Sequence, residues 1–275
     1  MTRPAERRII TGFSNPTVKS LRSLREKKHR KASGKFLAEG LRLLTDAREC
    51  GHVPETLVLS SSRDPHPLLD ALERDVVEAG GEVIETSPDI LTKITGKSNP
   101  QAVAGVFSEF DTSLAGIDRT SAPIWIVAQA LRDPGNLGTM LRTCDAVGAG
   151  GLILIDDCAD PFSVEAVRAS MGAVFTQKIA RAPWAEFHAW LRAEEFGGAG
   201  QLVAASLRDA VPYRGVAYQA PCFILVGNES QGLPEDYEEA CDLRVTMPMK
   251  GRADSLNAAV AGAVLAYEVL AGLDA

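Results

Sequence analysis

The sequence predicts an α/β fold in two parts, on three observations. Strand-like and helix-like stretches alternate from residue 36 onward. Four unbroken apolar runs punctuate the second half, as in parallel strands buried on both faces. A turn-rich stretch of low hydrophobicity, residues 110–122, separates two such series. The expected organisation is a basic N-terminal α/β domain at 1–110, a linker at 111–121 and a second α/β domain at 122–275.

Asn15-Pro16 is a helix opening, because Pro suits the first turn. Val18, Leu21 and Leu24 follow at helical spacing, with Lys19, Arg22, Arg25, Lys27, Lys28, Arg30 and Lys31 over much of the remaining surface. Phe36 to Ala38 predicts a short strand, Leu41 onward a helix ended by Gly51, and Thr56 to Leu59 a strand. Pro67 to Ala79 predicts a helix broken by Gly80-Gly81; Val83-Ile84 and Ala102 to Phe107 are further strands. Beyond the linker the strands are Ile124–Val127, Leu152–Ile155, Leu202–Ala204 and Phe223–Val226, with helices between them. A last helix, from about Ser255 to Leu270, is rich in Ala and Gly, and could pack closely in the core or at a subunit contact.

Of the 275 residues, 45% are hydrophobic and 24% charged, so a sizeable core is available. No apolar stretch is long enough for a membrane span; the closest, Ala258 to Ala266, leads into Tyr267 and Glu268. Arg3, Arg7 and Arg8 are not followed by the apolar region of a secretory signal. Five cysteines (Cys50, Cys144, Cys158, Cys222, Cys241) form no C-x-x-C pair, and with four scattered histidines no metal site is expected. Reduced thiols, buried or idle, and a cytoplasmic setting are expected. The net charge is −7, yet residues 1–35 hold eleven Lys or Arg against two Glu, a net +9, which leaves −16 for the rest. A basic end on an acidic body points to a polyanion, RNA or DNA, at that end, unless the charges only solvate a helix face.

Three polar segments interrupt the second apolar series, each where a strand ends or a helix begins. The first runs from Asp133 through Asn136 and Gly138 to Arg142; the second is Gly227-Asn228-Glu229-Ser230-Gln231-Gly232; the third is Met247-Pro248-Met249 followed by Ser255-Leu256-Asn257. Open α/β folds place ligands at such positions. Plainer roles compete at each: Asn136 as a helix cap, Arg142 in an ion pair with Asp145, Glu229 on a decorated turn, and Ser255 or Asp254 as the cap of the last helix. Asn257 would then lie inside the first turn, where Asn competes with helical hydrogen bonding, so a functional role is the better account of it. The fingerprints G-x-G-x-x-G and G-x-x-x-x-G-K-[ST] are absent, which argues against a dinucleotide or an NTP.

The three segments, in this order and spacing, resemble the motifs of the SpoU/TrmH family of RNA ribose 2'-O-methyltransferases, in the SPOUT superfamily. Asn136, Gly138 and Arg142 match its Asn-x-Gly-x-x-x-Arg. Gly227, Glu229 and Gly232 match its Gly-x-Glu-x-x-Gly, and Pro248, Met249, Ser255, Leu256 and Asn257 match its third motif. Arg168 to Ala173 is similar to a further stretch between the first two, and residues 10–110 resemble the substrate-binding domain often fused ahead. The departures are Gln129 where relatives often carry an acid, Met247 for Ile, Ala259 for Ser, and Gln177-Lys178 near a common Pro.

The resemblance implies a trefoil-knotted C-terminal methyltransferase domain behind a small RNA substrate-binding domain, and a homodimer with its site at the subunit interface. It implies methyl transfer from S-adenosylmethionine to a ribose 2'-hydroxyl of RNA, ribosomal RNA first and transfer RNA as the alternative. A non-catalytic RNA-binding or ribosome-assembly factor on the same fold is the reading from another class. Gly227, Met247 and Leu256, with Ser206 nearby, are implied at the cofactor, and Arg142, Asn136, Glu229, Ser255 and Asn257 in catalysis. Because arginine is a poor base, the physical version has Arg142 gripping an RNA phosphate and polarising the hydroxyl, with the other four orienting the groups.

Overall fold

The computed structural model describes residues 7–97, 101–193, 200–228 and 230–273. The first half contains β1 (Arg8–Ile10), α1 (Pro16–Ser23), α2 (Lys27–Ser33), β2 (Lys35–Glu39), α3 (Leu41–Glu49) and β3 (Thr56–Ser60). It continues with α4 (Pro67–Glu78), β4 (Glu82–Thr86), α5 (Pro88–Thr95) and β5 (Val103–Ser108). The second half contains β6 (Ile124–Gln129), α6 (Pro134–Ala146), β7 (Gly151–Ile155), α7 (Val164–Ala169), α8 (Ala173–Thr176), β8 (Lys178–Ala182) and α9 (Trp184–Arg192). It ends with β9 (Gln201–Ala205), β10 (Val211–Pro212), β11 (Cys222–Val226), α10 (Glu235–Glu239), β12 (Leu243–Thr246) and α11 (Ala258–Leu273).

Asn15 starts α1 as its neighbours suggest: its side chain accepts from Thr17 N at 2.9 Å, with Pro16 in the first turn. The basic segment is nevertheless two helices. α1 ends at Ser23 and α2 restarts at Lys27, with Leu24 buried in the turn between them. β1 is not visible in the apolar pattern, since three residues are too few to show alternation; α5 has a legible opening at Ser87-Pro88 and apolar Ile90, Leu91 and Ile94 at helical spacing.

Contacts divide the chain into two units, residues 1–110 with 160–176, and 111–159 with 177–275. The first holds a mixed five-stranded sheet in the order β1-β4-β3-β5-β2, where β1 and β3 flank β4 in parallel and β5 runs antiparallel to both β3 and β2. Segment 160–176 lies within the expected C-terminal domain but folds with this unit. Side-chain chemistry is the reason. Phe162 and Phe175 pack as tilted rings against Phe36 at 5.0 and 6.0 Å between centroids, and Phe175 meets Phe107 at 4.8 Å. Asp160 receives Arg30 Nη2 at 2.7 Å and Nε at 3.1 Å, while Arg30 Nη1 donates to Leu24 O at 2.8 Å. Arg30 is therefore an internal strut, unlike Lys19, Arg22, Arg25, Lys27, Lys28 and Lys31, which are exposed.

The second unit is built on a parallel seven-stranded sheet in the order β10-β12-β9-β11-β6-β7-β8. Trp125, Val127, Phe223 and Leu225 face a core shared with Phe187 and Leu191 of α9. Ile126, Ile224 and Leu265 are equally buried, and α6 and α11 pack on one another, α11 also on β11 and β6. Burial on both faces accounts for the unbroken apolar runs. α11 lies close to its neighbours without excluding a side chain at Gly262: a Cβ there would make ordinary contacts, 3.6 Å from Val226 and 3.9 Å from Met140. Residues 111–121, expected as a linker, are largely exposed but anchored at three buried side chains. Leu114 and Ile117 join the core, and the buried Arg119 donates to the carbonyls of Trp190, Leu191 and Ala193 at the end of α9.

No cysteine is in a disulfide; Cys144, Cys158 and Cys222 are buried, and Cys50 is exposed. Burial pushes the Cys158 thiol up to about 11 and that of Cys222 to about 12, so both stay protonated and inert. No helix among the described residues is long and apolar enough to cross a membrane.

Arg30→Ala should lower unfolding free energy by about 3–5 kcal/mol in urea denaturation, because it strands the Asp160 carboxylate away from water. Arg30→Met combined with Asp160→Leu should recover most of that loss; a single variant within about 1 kcal/mol of wild type would show the pair to be dispensable.

Candidate cofactor cavity and helix junction

β12, β9 and β11 are neighbours running in one direction, so the loops that leave them emerge at one sheet edge. There they enclose a cavity of about 400 Å³, within the range of small-molecule sites. Its walls come from 205–208 at the end of β9, from 226–228 and 230–233 at the end of β11, and from 245–247, 249, 255 and 256 around and after β12. Ser206, Gly227, Met247, Ser255 and Leu256 all line it. Leu233, Val226 and Ala258 add apolar surface.

The loop after β11 is folded back on itself. Asn228 Oδ1 accepts from Ser230 N at 2.9 Å and Gln231 N at 3.2 Å, and Gly232 N donates to Asn228 O at 2.9 Å. Asn228 Nδ2 ties the loop to Ala130 O at 2.9 Å. A Cβ on Gly227 would lie 2.6 Å from the Gly232 carbonyl carbon and 2.7 Å from Leu233 N, so only glycine allows this closure. The sequence marks Asn228 only as part of a motif; its amide organises the whole turn. Glu229 lies outside the described residues.

The β9 end of the cavity is polar. Ser206 Oγ donates to Glu238 Oε1 at 2.6 Å and accepts from Arg208 N at 2.9 Å. Glu238, on α10, is buried at 6% exposure and lines the cavity. No sequence signal singles it out, since a Glu within Glu235-Asp236-Tyr237-Glu238-Glu239 looks like a solvated helix face.

The helix starts differ from expectation. Asp133, not Asn136, caps α6: its Oδ1 accepts from Asn136 N at 2.6 Å. α11 begins at Ala258, so neither Ser255 nor Asp254 caps it. Asn257 does, its Oδ1 accepting from Ala259 N at 3.0 Å and Val260 N at 3.3 Å. The expectation that Asn257 lies inside the first turn is thus corrected: it precedes the helix and caps it. Its other end matters as well, because Nδ2 donates to Asn136 Oδ1 at 3.1 Å and joins the first and third motifs.

Arg142 lies further along α6, exposed, and does not line the cavity. Asp145, three residues further on, accepts from Gln177 Nε2 at 3.2 Å. Gln129 is buried at the end of β6 and donates to Asp156 Oδ2 at 3.2 Å. The stretch Arg168 to Ala173 sits in the first unit, where Arg168 meets Glu39 at 3.2 Å. Residues 136, 206, 227, 247, 255, 256 and 257 therefore gather around one cavity and the helix junction beside it, and Arg142 stands apart.

The sequence and the fold have relatives among known proteins. The SpoU rRNA Methylase family matches residues 123–267, and the MRM3-like substrate binding domain matches residues 15–105. The chain belongs to the SpoU rRNA methylase family. It is 32% identical to the 23S rRNA (guanosine(2553)-2'-O)-methyltransferase RlmP of Bacillus subtilis strain 168, over 94% of this chain and 98% of that one. The crystal structure of an AdoMet-bound rRNA methyltransferase from Sinorhizobium meliloti superposes with a TM-score of 0.88 and 38% identity, over 97% of this chain and 98% of that chain. The SpoU methyltransferase AviRb from Streptomyces viridochromogenes, solved with the cofactor AdoMet, gives a TM-score of 0.83 and 28% identity, over 95% and 99%.

Asn257→Ala should cost about 1 kcal/mol in urea denaturation through loss of the cap, whereas Asn257→Ser should cost a few tenths. Equal losses for the two would show that the Asn136 contact, rather than capping, carries the stability.

Proposed function

We propose that the protein methylates a ribose 2'-hydroxyl of ribosomal RNA with S-adenosylmethionine as donor. The observation that carries this reading is the convergence of the second and third motif segments on one cavity, with the first motif bonded to the third through Asn136 and Asn257. The cavity suits the donor in size and lining: apolar side chains at Val226, Leu233, Met247 and Leu256 for a flat base, backbone groups of the 227–233 turn at its edge, and polar groups at the β9 end. S-adenosylmethionine, when bound, supplies a methyl group on a good leaving group. Positioning and proton removal then fall to the protein.

Gly227, Met247, Leu256 and Ser206 would hold the donor. Asn136 and Asn257 would fix the α6 and α11 termini, Ser255 would face the incoming ribose, and Glu229 would orient it. Arg142 is exposed and stands outside the cavity of its own chain. A second copy of the chain would bring Arg142 to the site, and the exposed Val260 and Tyr267 of α11 (47% and 54%) offer apolar surface for such a homodimer. Arg142 would grip an RNA phosphate and polarise the 2'-hydroxyl, the phosphate taking the proton. The trefoil knot and a cytoplasmic setting go with this reading.

The exposed cations of α1 and α2 would dock RNA through phosphates. Their support is their exposure together with the match of residues 15–105 to a substrate binding domain.

Arg142→Ala should reduce methyl transfer to ribosomal RNA by about 10²–10³-fold and leave S-adenosylhomocysteine affinity unchanged in calorimetry. Transfer at the wild-type rate would dispose of its role. Lys19→Glu with Arg22→Glu should weaken RNA binding across sequences and flatten its log–log salt dependence by about 1–2, again without touching cofactor affinity. Loss of both affinities together would count against the division between units.

A further inference from the structure

Glu238 is a carboxyl group buried in the cavity wall with acceptor capacity to spare. Its residue is 6% exposed, and among the described residues its side chain receives one hydrogen bond, from Ser206 Oγ at 2.6 Å. Arg208 Nε stands at 3.6 Å, beyond hydrogen-bond reach, and Arg208 is drawn outward to Glu235 at 2.5 Å. A carboxylate offers about four lone-pair directions. A buried one left half-satisfied is costly, which makes the site receptive to a ligand donor.

Ser206 has less to offer. Its one proton is directed to Glu238 at 2.6 Å in preference to Arg208 O at 3.5 Å, and one of its two lone pairs already accepts from Arg208 N. The larger share of the polar recognition expected of Ser206 therefore falls to the carboxyl it positions. The charge nearby also selects the donor. A guanidinium at 3.6 Å already faces this carboxyl, so a second cation there, such as an amino-acid ammonium, is disfavoured relative to a neutral hydroxyl. A ribose diol presents two neutral donors at the spacing of one carboxylate, the geometry by which acidic residues hold ribose hydroxyls in other nucleotide sites.

We propose that Glu238, held by Ser206, is the ribose-recognising residue of the cavity and sets its preference for a ribonucleoside donor over deoxy analogues. This rests on the S-adenosylmethionine reading above and adds a residue that lies in none of the three motifs.

The test is a binding cycle by calorimetry on the full-length protein, with S-adenosylhomocysteine and its 2'-deoxy, 3'-deoxy and 6-desamino analogues as probes. Wild type should bind the better discriminated deoxy analogue about 10–100-fold more weakly than the parent. Glu238→Gln, which keeps the shape, should narrow that ratio to within about threefold, and Glu238→Ala should abolish it; melting temperatures identify any variant that is unfolded, and Ser206→Ala, which frees the carboxyl, serves as the second measurement by lowering the ratio partway. An unchanged deoxy ratio in folded Glu238→Gln overturns the proposal, as does a ratio that collapses only for the 6-desamino analogue, which would place the adenine amine there instead. Failure of wild type to bind S-adenosylhomocysteine at all would overturn the cofactor reading itself, a result distinct from binding without discrimination.

Discussion

Parallel pairing of β12, β9, β11 and β6 is the constraint from which the site follows. Strands that run the same way must end at the same edge, so the loops they release are neighbours whatever their separation in the chain. Ser206, Gly227 with 230–233, and Met247 with Ser255 and Leu256 meet for that reason. The cost of the arrangement is buried backbone, and the sheet meets it by pairing every central strand on both sides under apolar cover from α6, α9 and α11.

Polar groups in this region are used twice over. Asn257 caps a helix with its oxygen and reaches Asn136 with its nitrogen. Asn228 closes a turn with its oxygen and anchors that turn to Ala130 with its nitrogen. An amide suits such positions because donor and acceptor sit on one rigid plane. Replacement by aspartate or serine keeps one function and loses the other. That dual use gives a physical reason for asparagine at these motif positions, apart from any contact with substrate.

Much of the site was legible because its segments are local patterns: Gly227 with Gly232 announces a close turn, and Pro248 to Asn257 announces a strand-to-helix passage. Less legible was anything set by distant pairing. Asn257 reads as a residue inside a helix until the true start at Ala258 is known. Arg30 reads as one more solvated cation, since its partner Asp160 lies 130 positions away. Glu238 hides among surface acids because burial of one residue in a five-residue acidic helix leaves no mark in the local pattern. Leu114 and Ile117 are too few to lift a turn-rich stretch above the signature of a linker, yet both are in the core.

The excursion at 160–176 changes what counts as a module. The polypeptide passes between the two units three times, near residues 110, 159 and 176. Severing it once, after Phe110, would not yield two self-sufficient pieces. The downstream fragment would keep Phe162 and Phe175 without Phe36 and Phe107, and Asp160 without Arg30. Grafting the first unit onto another catalytic body, in the laboratory or over evolutionary time, therefore requires transplanting two non-contiguous stretches of gene together.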